Sequence, residues 1–453
     1  MLNTNSEFLR AELMDIIRAF GAEDEDITQY FSCADSKFFN SIEYCGEFFD
    51  FEEKYEEADE LVFKRLAKRS AKLALYNVLS KYKGGLPWGA LTGIRPTKMA
   101  YAERAAGRDF KPLFEKLGVI APNISLIERV LKAQEGIYGK SGQDFYVSLP
   151  FCPTKCEYCS FITAPIDKTR VYLDDYTNCL IKEIYSVKPF LTNLRSIYIG
   201  GGTPFVFDAD KLTRIYAAIS DVCGANCEYT VEAGRPDVFT EEKVKISADF
   251  GVTRLCVNPQ TFNDETLKKI GRKHTSAQTL KAVELAQKYG FDINLDLIAG
   301  LADETAEDFK NSLLQAISLN PANITVHTLS LKAGSKLKES TKRLNVAGIN
   351  EMVMISRELL SQAGYEPYYL YRQKYQAGGL ENVGWAKKGK ACVYNIDVME
   401  EFCDNIAVGA NAISKRVYGD EERIERYAAP KDIPSYILKT DKIIEERGKL
   451  FSD

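Results

Sequence analysis

Phe145-Tyr-Val-Ser-Leu-Pro-Phe-Cys-Pro-Thr-Lys-Cys-Glu-Tyr-Cys-Ser160 is the most informative stretch of the chain. Its first six residues are apolar or small and begin with β-forming side chains, which predicts a strand. The strand leads into a loop that carries Cys152, Cys156 and Cys159 in a C-x-x-x-C-x-x-C spacing. This short loop can bring three thiolates to one metal centre.

Three cysteines are an unusual number of ligands for one centre. A structural zinc site takes four protein ligands, and most iron–sulfur clusters also take four cysteines. A loop with three cysteines therefore favours a cubane cluster whose fourth iron stays open for a small molecule. A zinc knuckle, a disulfide pair and a chance spacing are the alternatives at this point.

The composition is that of an ordinary globular protein. The chain has 453 residues, of which 45% are hydrophobic and 27% charged, enough for two or three domains. It contains no apolar run of about 18 residues, so no transmembrane helix is expected. The net charge of −5 disfavours nucleic acid as a partner.

The cysteines and the start of the chain indicate a cellular compartment. The stretch Met1–Glu7 has neither the basic nor the apolar segment of a signal peptide. Eleven cysteines, an odd number, in such a chain predict a reducing cytoplasm. His274 and His327 are the only histidines, which disfavours a metal site built from imidazoles.

Residues 1–140 differ in pattern from the rest and are predicted to form an α+β accessory domain. The apolar spacing predicts a helix over Ser6–Phe20 and a charged helix over Glu53–Lys83, and the aromatic segment between them predicts strands. Another helix is expected near Ile124–Tyr138.

Residues 141–335 alternate short apolar strands with helices. Strands are predicted at Phe145–Leu149, Arg195–Ile199, Glu228–Glu232, Arg254–Val257, Ile293–Ile298 and Asn323–Leu329. Helices are predicted at Tyr172–Phe190, Asp208–Val222, Glu241–Phe250, Ser276–Tyr289 and Thr305–Leu319. Alternation of this kind is typical of parallel βαβ units, here a partial six-stranded (β/α) barrel that is open at one side.

Polar residues follow these strands where a barrel places its chemistry, at the carboxyl ends. Strand one leads to the cysteine loop, and strand two ends in Gly200-Gly-Gly-Thr-Pro204. The later strands lead to Glu232 with Arg235 after it, to Gln260 with Arg272 after it, and to Asp296. Each has an ordinary structural explanation, but together they indicate one site.

These motifs resemble the radical S-adenosylmethionine (SAM) superfamily, in particular its oxygen-independent coproporphyrinogen III oxidase family, over about residues 140–415. The resemblance implies a 4Fe–4S cluster on Cys152, Cys156 and Cys159, with SAM on the open iron. It further implies SAM contacts from ten residues: Tyr146, Tyr158, Gly201, Gly202, Thr203, Glu232, Gln260, Arg272, Asp296 and Ile413.

Two further segments, Pro87–Lys98 and Tyr368–Gly384, resemble the HemZ-type branch of that family. Phe161 stands where the best-understood branch has a fourth cysteine, so details of substrate or second-SAM handling are expected to differ. Residues 336–453 are expected to complete the barrel and its substrate side. After the glycine-rich segment Ala407–Ser414 only a short charged tail is expected, so the N-terminal domain is predicted to cover the substrate instead.

The resemblance implies anaerobic oxidative decarboxylation of coproporphyrinogen III propionates to vinyl groups, for haem biosynthesis. A deoxyadenosyl radical would remove a hydrogen atom, after a reductant such as flavodoxin or ferredoxin has supplied an electron. No acid–base side chain is required, so no catalytic residue is predicted. Arg95, Lys98 and Arg372 are candidates for binding the propionates, with surface ion pairing or helix capping as the alternative.

Two other functions stay open. One is a different radical SAM reaction on a tetrapyrrole, such as methyl transfer with ring opening. The other is a haem-binding trafficking protein, as in a sister branch that carries a His-Asn-x-x-Tyr-Trp stretch. The corresponding Ala391–Asp397 keeps Tyr394 and Asn395 but has no histidine, which disfavours this function.

Overall fold

The computed structural model describes residues 1–56, 59–92, 95–159, 163–224, 227–330, 346–373, 379–419 and 423–452. The chain forms two compact units, of which the first comprises 1–128 with 371–381 and the second 129–370 with 382–453. Residues 371–381, expected within the C-terminal segment, thus belong to the first unit. The division into three functional segments stays a prediction.

The first unit contains a four-stranded sheet in the order β1-β2-β3-β4. The strands are β1 (Leu2–Thr4), β2 (Ile27–Ala34), β3 (Lys37–Tyr44) and β4 (Glu47–Lys54). The helices that begin in this unit are α1 (Glu7–Ala19), α2 (Glu60–Lys83), α3 (Pro96–Ala105), α4 (Lys111–Lys116) and α5 (Ala121–Ala133). Alternate residues of β3 are buried, as expected of a sheet with one face against helices.

The prediction for the second helix was wrong at its start. Glu53 and Lys54 are the last residues of β4, because they pair with Phe38 and Lys37 of the neighbouring strand. The helix begins only after Asp59, whose side chain accepts a hydrogen bond of 2.8 Å from the amide of Val62. An aspartate in that position satisfies an amide that the first turn would otherwise leave unpaired.

The second unit is built on one 11-stranded sheet in the order β13-β14-β12-β11-β10-β9-β8-β5-β15-β16-β17. Its parallel strands include β5 (Gln143–Leu149), β8 (Leu194–Gly201), β9 (Glu228–Gly234), β10 (Arg254–Gln260), β11 (Asp292–Ala299) and β12 (Asn323–Thr328). Each contains or overlaps a predicted strand. Their parallel pairing and the open order confirm the partial (β/α) arrangement.

The remaining strands come mostly from the C-terminal third of the chain. They are β6 (Phe151–Cys152), β7 (Ala164–Pro165), β13 (Glu366–Arg372), β14 (Glu381–Ala386), β15 (Asp404–Val408), β16 (Ile413–Tyr418) and β17 (Arg423–Ala428). Strand β15 pairs in parallel with β5, so it adds a seventh parallel strand. The sequence prediction missed it because five residues offer too little periodicity.

Helices lie between the strands of the second unit and after the last of them. They are α6 (Ile166–Thr169), α7 (Leu173–Ser186), α8 (Ala209–Cys223), α9 (Glu241–Asp249), α10 (Asp264–Lys269), α11 (Ser276–Lys288), α12 (Ala306–Ser318), α13 (Val346–Gln362), α14 (Val393–Glu400), α15 (Ile433–Leu438) and α16 (Thr440–Phe451). Thr275 and Thr305 begin α11 and α12 with capping boxes, which define where these helices start. Within the described ranges every helix is too short or too polar to cross a bilayer.

The end of the chain is more than the charged tail that was expected. Helix α16 carries Arg447, which is 1% exposed and pairs with the buried carboxylate of Glu183 on α7. Glu183 also accepts hydrogen bonds from the hydroxyl of Tyr436 and, at 2.9 Å, from the amide of Gly409. These bonds hold the turn after β15 in position.

Candidate functional site

The cysteine loop begins at the carboxyl end of β5. Cys152 ends the short strand β6, which pairs with β7 beyond the loop. Cys156 is buried, Cys152 and Cys159 are half-buried, and the amide of Cys159 donates to the carbonyl of Cys156 at 3.2 Å. Burial, together with the nearby Cys159 and Cys156 thiols, raises the pKa of the Cys152 thiol to about 11. The three thiols therefore lie close enough to influence one another.

The donor set suits a cluster better than one ion. Among the residues described, no three Cys, His, Asp or Glu side chains converge on a single ion position. A cubane cluster does not require such convergence, because each cysteine binds a different iron. Three thiols without a fourth leave one iron available to a ligand.

The glycine–threonine segment of β8 lies directly against this loop. A Cβ atom on Gly202 would come within 2.5 Å of the carbonyl oxygen of Phe151, so only glycine permits the approach. The amide of Thr203 donates to the same carbonyl at 2.7 Å. The hydroxyl of Thr203 lies 3.5 Å from the sulfur of Cys152. The predicted SAM segment and the first predicted cluster ligand are thus in contact.

Glu232, at the end of β9, is a buried carboxyl group. It accepts a hydrogen bond of 2.5 Å from the hydroxyl of Tyr198 and another from the amide of Gly201. Burial, together with the nearby carboxylate of Asp296, raises its pKa to about 7. A bound cation would stabilise the ionised form.

Tyr146 belongs to a stack of three aromatic rings. Its ring centroid lies 6.2 Å from that of Tyr198 and 6.0 Å from that of Tyr394. Tyr198 and Tyr394 stack most closely, at 4.2 Å. Tyr198 was not among the predicted site residues. Its position two residues before the glycine triplet, on the same strand, was the only local signal.

The second half of the cysteine loop lies against residues that follow β10. The amide of Glu157 donates to the carbonyl of Ile270 at 3.1 Å, and Tyr158 packs on an apolar cluster that includes Ile270. Arg272 is 7% exposed, donates from Nε to the Tyr158 hydroxyl at 3.1 Å and donates from Nη1 to the carbonyl of Asn258. Tyr158 and Arg272, predicted separately, are therefore neighbours.

Gln260 has an unusual backbone and an unused polar atom. Its φ is +70°, a conformation that costs a residue other than glycine roughly 1–3 kcal/mol. Its side-chain oxygen Oε1 is buried and has no hydrogen-bond partner within the described part of the chain. Strain combined with an unsatisfied acceptor is typical of a ligand site.

Asp296 lies on β11, where it accepts a hydrogen bond of 2.8 Å from the side-chain amide of Asn294. The Nε2 atom of His327, on the neighbouring β12, lies 3.9 Å from its other oxygen. His327 therefore faces the same carboxylate that the family resemblance assigns to SAM.

Ile413 opens β16 and is 45% exposed. Its expected packing near SAM stays a prediction. Phe161, Gly93 and Ile94 lie outside the described residues. The proposed substrate cations Arg95, Lys98 and Arg372 all belong to the first unit.

Arg372 is engaged in holding its own unit together. Its guanidinium donates to the carbonyls of Leu91 and Gly379, and it lies over the ring of Trp88 at 5.3 Å. Burial lowers its pKa to about 10. Trp88 in turn donates to Glu381 at 2.7 Å. Arg372 therefore supports the backbone at Leu91, four positions before Arg95.

These contacts fit the cofactors that the resemblance implies. The carboxyl of Glu232 and the oxygen of Gln260, which has no partner among the described residues, offer acceptors to a cationic ligand, and the close approach of Gly202 places them beside the cysteine loop. SAM is such a ligand, since it carries an ammonium group, a sulfonium centre and ribose hydroxyls.

Comparison with known proteins agrees with this assignment. Residues 146–316 match the model of the radical SAM superfamily. The oxygen-independent coproporphyrinogen-III oxidase-like protein HemZ of Bacillus subtilis is 35% identical over 407 residues, which cover 84% of this chain and 80% of the relative. The chain belongs to the radical SAM superfamily. Within it, the chain is a member of the coproporphyrinogen III oxidase family and of its HemZ-type branch.

Other members of the superfamily are also similar. The heme chaperone HemW of Haemophilus influenzae is 30% identical over 313 residues, which cover 67% of this chain and 77% of the relative. Coproporphyrinogen III oxidase (HemN) from Escherichia coli shares the fold with a TM-score of 0.55 and 21% identity, over 69% of this chain and 72% of that structure. As a radical SAM protein, this chain uses a 4Fe–4S cluster and SAM.

Proposed function

We propose that this protein is a cytoplasmic oxidoreductase that converts propionate groups of coproporphyrinogen III to vinyl groups, with flavodoxin or ferredoxin as reductant. The observation that carries the radical chemistry is that the glycine–threonine segment contacts both the cysteine loop at Cys152 and the buried carboxyl of Glu232 at neighbouring strand ends. The name of the Bacillus relative, a coproporphyrinogen-III oxidase-like protein, supports the tetrapyrrole substrate.

In this proposal Cys152, Cys156 and Cys159 hold the cluster and leave its fourth iron open. When bound, the cluster and SAM supply a carbon-centred radical that removes a hydrogen atom from the substrate. The contribution of the protein is binding, orientation and the exclusion of water.

Each of the other site residues is assigned to the group of SAM that its chemistry suits. Glu232 and the glycine–threonine segment take the ammonium group of SAM, because carboxylate and carbonyl oxygens accept its hydrogen bonds. Asp296 takes the ribose hydroxyls, and Gln260 offers its free oxygen to a donor on the same ligand. Tyr146 and Tyr158 orient SAM through their rings, and Arg272 keeps Tyr158 in position at 3.1 Å.

The propionates require cations. We assign this role first to Arg95 and Lys98, which flank the start of α3. Arg372 supports the preceding backbone, because three of its nitrogens already donate to carbonyls. An Arg372 contact to substrate would need the donors that remain on Nη1 and Nη2.

Haem trafficking is the second candidate, because HemW relatives align with this chain. The local structure of the segment that resembles the haem motif disfavours it. Tyr394 is 8% exposed and stacks on Tyr198, and the side-chain amide of Asn395 donates to the Tyr368 hydroxyl at 3.0 Å. Both side chains thus have partners inside the protein. Methyl transfer with ring opening is distinguished only by its products.

The deciding experiment is anaerobic. The protein is reconstituted with iron and sulfide, and SAM and dithionite are added with or without coproporphyrinogen III, followed by mass spectrometry. The proposal expects 5′-deoxyadenosine together with two decarboxylations of the porphyrinogen, and neither product when SAM is omitted. Deoxyadenosine with a methylated or ring-opened tetrapyrrole would reject the decarboxylation. Tight haem binding with no cleavage of SAM would favour trafficking.

A further inference from the structure

Arg235 is a buried cation that the proposed cofactor contacts do not use. It follows β9 directly, and its side chain is only 3% exposed. Its Nη1 atom donates a hydrogen bond of 2.5 Å to the hydroxyl of Thr154. Thr154 lies inside the cysteine loop, between Cys152 and Cys156. Arg235 therefore reaches from one strand end into the loop that follows another.

The orientation of this guanidinium is determined by Asp237. Nε of Arg235 donates to one carboxylate oxygen at 2.9 Å, and Nη2 donates to the other at 2.7 Å. A two-point contact with a carboxylate defines the plane of a guanidinium, so the remaining nitrogen can point in only one direction. That direction leads to Thr154. Lysine has one nitrogen and cannot reproduce this geometry.

The backbone before Arg235 is also adapted to this position. Gly234 has a φ of +85°, and a Cβ atom there would lie 3.0 Å from the methyl group of Thr203. The turn thus brings Arg235 beside the segment that contacts Cys152.

Arg235 completes a set of three anchors for the cysteine loop. The first is Thr203, whose amide holds the carbonyl of Phe151 before Cys152. The third is Ile270, whose carbonyl holds the amide of Glu157 after Cys156. The first half of the loop, between Cys152 and Cys156, is held by the contact from Arg235 to Thr154.

We propose that Arg235, oriented by Asp237, is a positioning residue that holds the cysteine loop in a cluster-ready conformation before iron binds. A preformed loop loses less conformational entropy when its thiolates bind iron, so it retains the cluster longer. This role does not depend on which tetrapyrrole is the substrate.

The test compares two substitutions of Thr154. Thr154→Val keeps the shape of the side chain but removes the acceptor, whereas Thr154→Ser keeps the hydroxyl. Hydrogen exchange of the full-length apo-protein is followed by mass spectrometry. A hydrogen bond to a charged group stabilises the closed loop, so its loss makes local opening more frequent. Exchange in peptides covering 154–159 should therefore rise by about tenfold in Thr154→Val. Thr154→Ser should stay close to wild type.

Cluster retention gives a second readout. In the reconstituted holoprotein, loss of the cluster to a chelator, followed by its visible absorbance, should be several-fold faster in Thr154→Val and in Arg235→Lys. Thr213→Val is the matched control, because its hydroxyl donates to the carbonyl of Ala209 at 2.8 Å within α8 and away from the loop. It should change neither loop exchange nor cluster loss.

Three results would overturn the proposal. Exchange in Thr154→Val could equal that of wild type, or Thr154→Ser could be as fast as Thr154→Val, so that the hydroxyl is irrelevant. Exchange could also rise throughout the second unit, which would indicate a general stabilising role. If Thr154→Val does not fold, the same exchange and cluster-loss measurements on Arg235→Lys decide.

Discussion

The two ends of the same parallel strands differ in how completely their buried polar and charged groups are paired. At the amino ends, two buried arginines are paired with carboxylates. Arg195, the second residue of β8, makes two hydrogen bonds of 2.6 and 3.0 Å to Asp397. Arg254, the first residue of β10, lies 2.7 Å from Glu228, the first residue of β9. Buried ions of this kind are tolerated because each has a partner.

At the carboxyl ends some buried charges are also paired, as Arg235 is with Asp237, but two polar groups are left incomplete. Glu232 is buried with a pKa raised to about 7, and Gln260 combines a positive φ with a side-chain oxygen that has no partner in the part of the chain that the structure describes. These features weaken the apo-protein locally, and a ligand that supplies the missing partners would relieve them. The comparison teaches that the incomplete polar groups lie at the carboxyl ends of the strands, where a ligand would bind. Substitutions at the two ends should therefore fail in different ways.

The largest effect is expected at the cysteine loop. Cys156→Ser should abolish retention of the 4Fe–4S cluster and with it all cleavage of SAM, because one of three protein ligands is lost. Thermal unfolding of the apo-protein should change little. Iron content and visible absorbance after reconstitution measure the first effect. Cys33→Ser, at an exposed cysteine of β2, is the control and should keep a full cluster.

At the amino ends we expect the opposite result, a loss of stability with retention of the cluster. Arg195→Met should cost about 3–5 kcal/mol of unfolding free energy, because it leaves Asp397 buried without its cation. Urea unfolding measures it. Arg214→Met removes an exposed arginine and should stay within about 0.5 kcal/mol of wild type. If the folded fraction of Arg195→Met failed to load a cluster, the separation of the two ends would be contradicted.

Much of this contrast was accessible from the sequence. The strands were predictable because apolar runs end in glycine or polar residues, and the carboxyl ends of parallel strands meet at one edge. The cysteine spacing and Gly201, Gly202 and Thr203 are local signals of the same kind. These signals predicted the cysteine loop and placed it at the same site as the end of β8.

The rest depends on contacts between residues distant in the sequence. Glu183 and Arg447 are 264 positions apart, and the stacked rings of Tyr198 and Tyr394 belong to a strand and to a helix of the C-terminal segment. Neither pair leaves a periodic pattern. The strain at Gln260 is likewise set by the irregular pairing of β10 after Val257, which composition cannot reveal.

A smaller effect is expected for Glu232→Gln, and its size depends on pH. The folded pKa of about 7 lies above the ordinary value of 4.5, so between these values the folded protein holds a proton that the unfolded chain releases. Glu232 therefore lowers stability progressively as pH rises from 4.5 towards 7. Glu232→Gln has no carboxyl at this position, so it does not lose this stability as the pH rises.

Relative to wild type, apo Glu232→Gln should thus gain about 2–3 kcal/mol more at pH 8 than at pH 5. Urea unfolding at the two pH values measures the difference. The same variant should bind SAM more weakly, because a neutral amide replaces the carboxylate. A gain that is equal at both pH values would mean that Glu232 does not titrate as its burial implies.

The smallest effect, Gln260→Gly, tests whether strain is kept for binding. Glycine accepts a φ of +70° without penalty, and the substitution also removes the unpaired oxygen. Two effects oppose this relief of strain: glycine raises the entropy of the unfolded chain, and the volume of the side chain is lost. The net gain in unfolding free energy of the apo-protein is therefore expected to be about 1 kcal/mol. Affinity for SAM, measured by equilibrium binding to the clustered protein, should fall.

Asn320→Gly provides the matched comparison at the opposite end. Asn320 also has a positive φ, of 54°, but it precedes β12 and so lies on the amino side of the strands. Relief of its backbone should leave the affinity for SAM unchanged. If both variants weakened SAM binding equally, strain at Gln260 would be no more connected with the ligand than strain elsewhere. If only Gln260→Gly did, the carboxyl ends would retain strain because the ligand uses the residue that bears it.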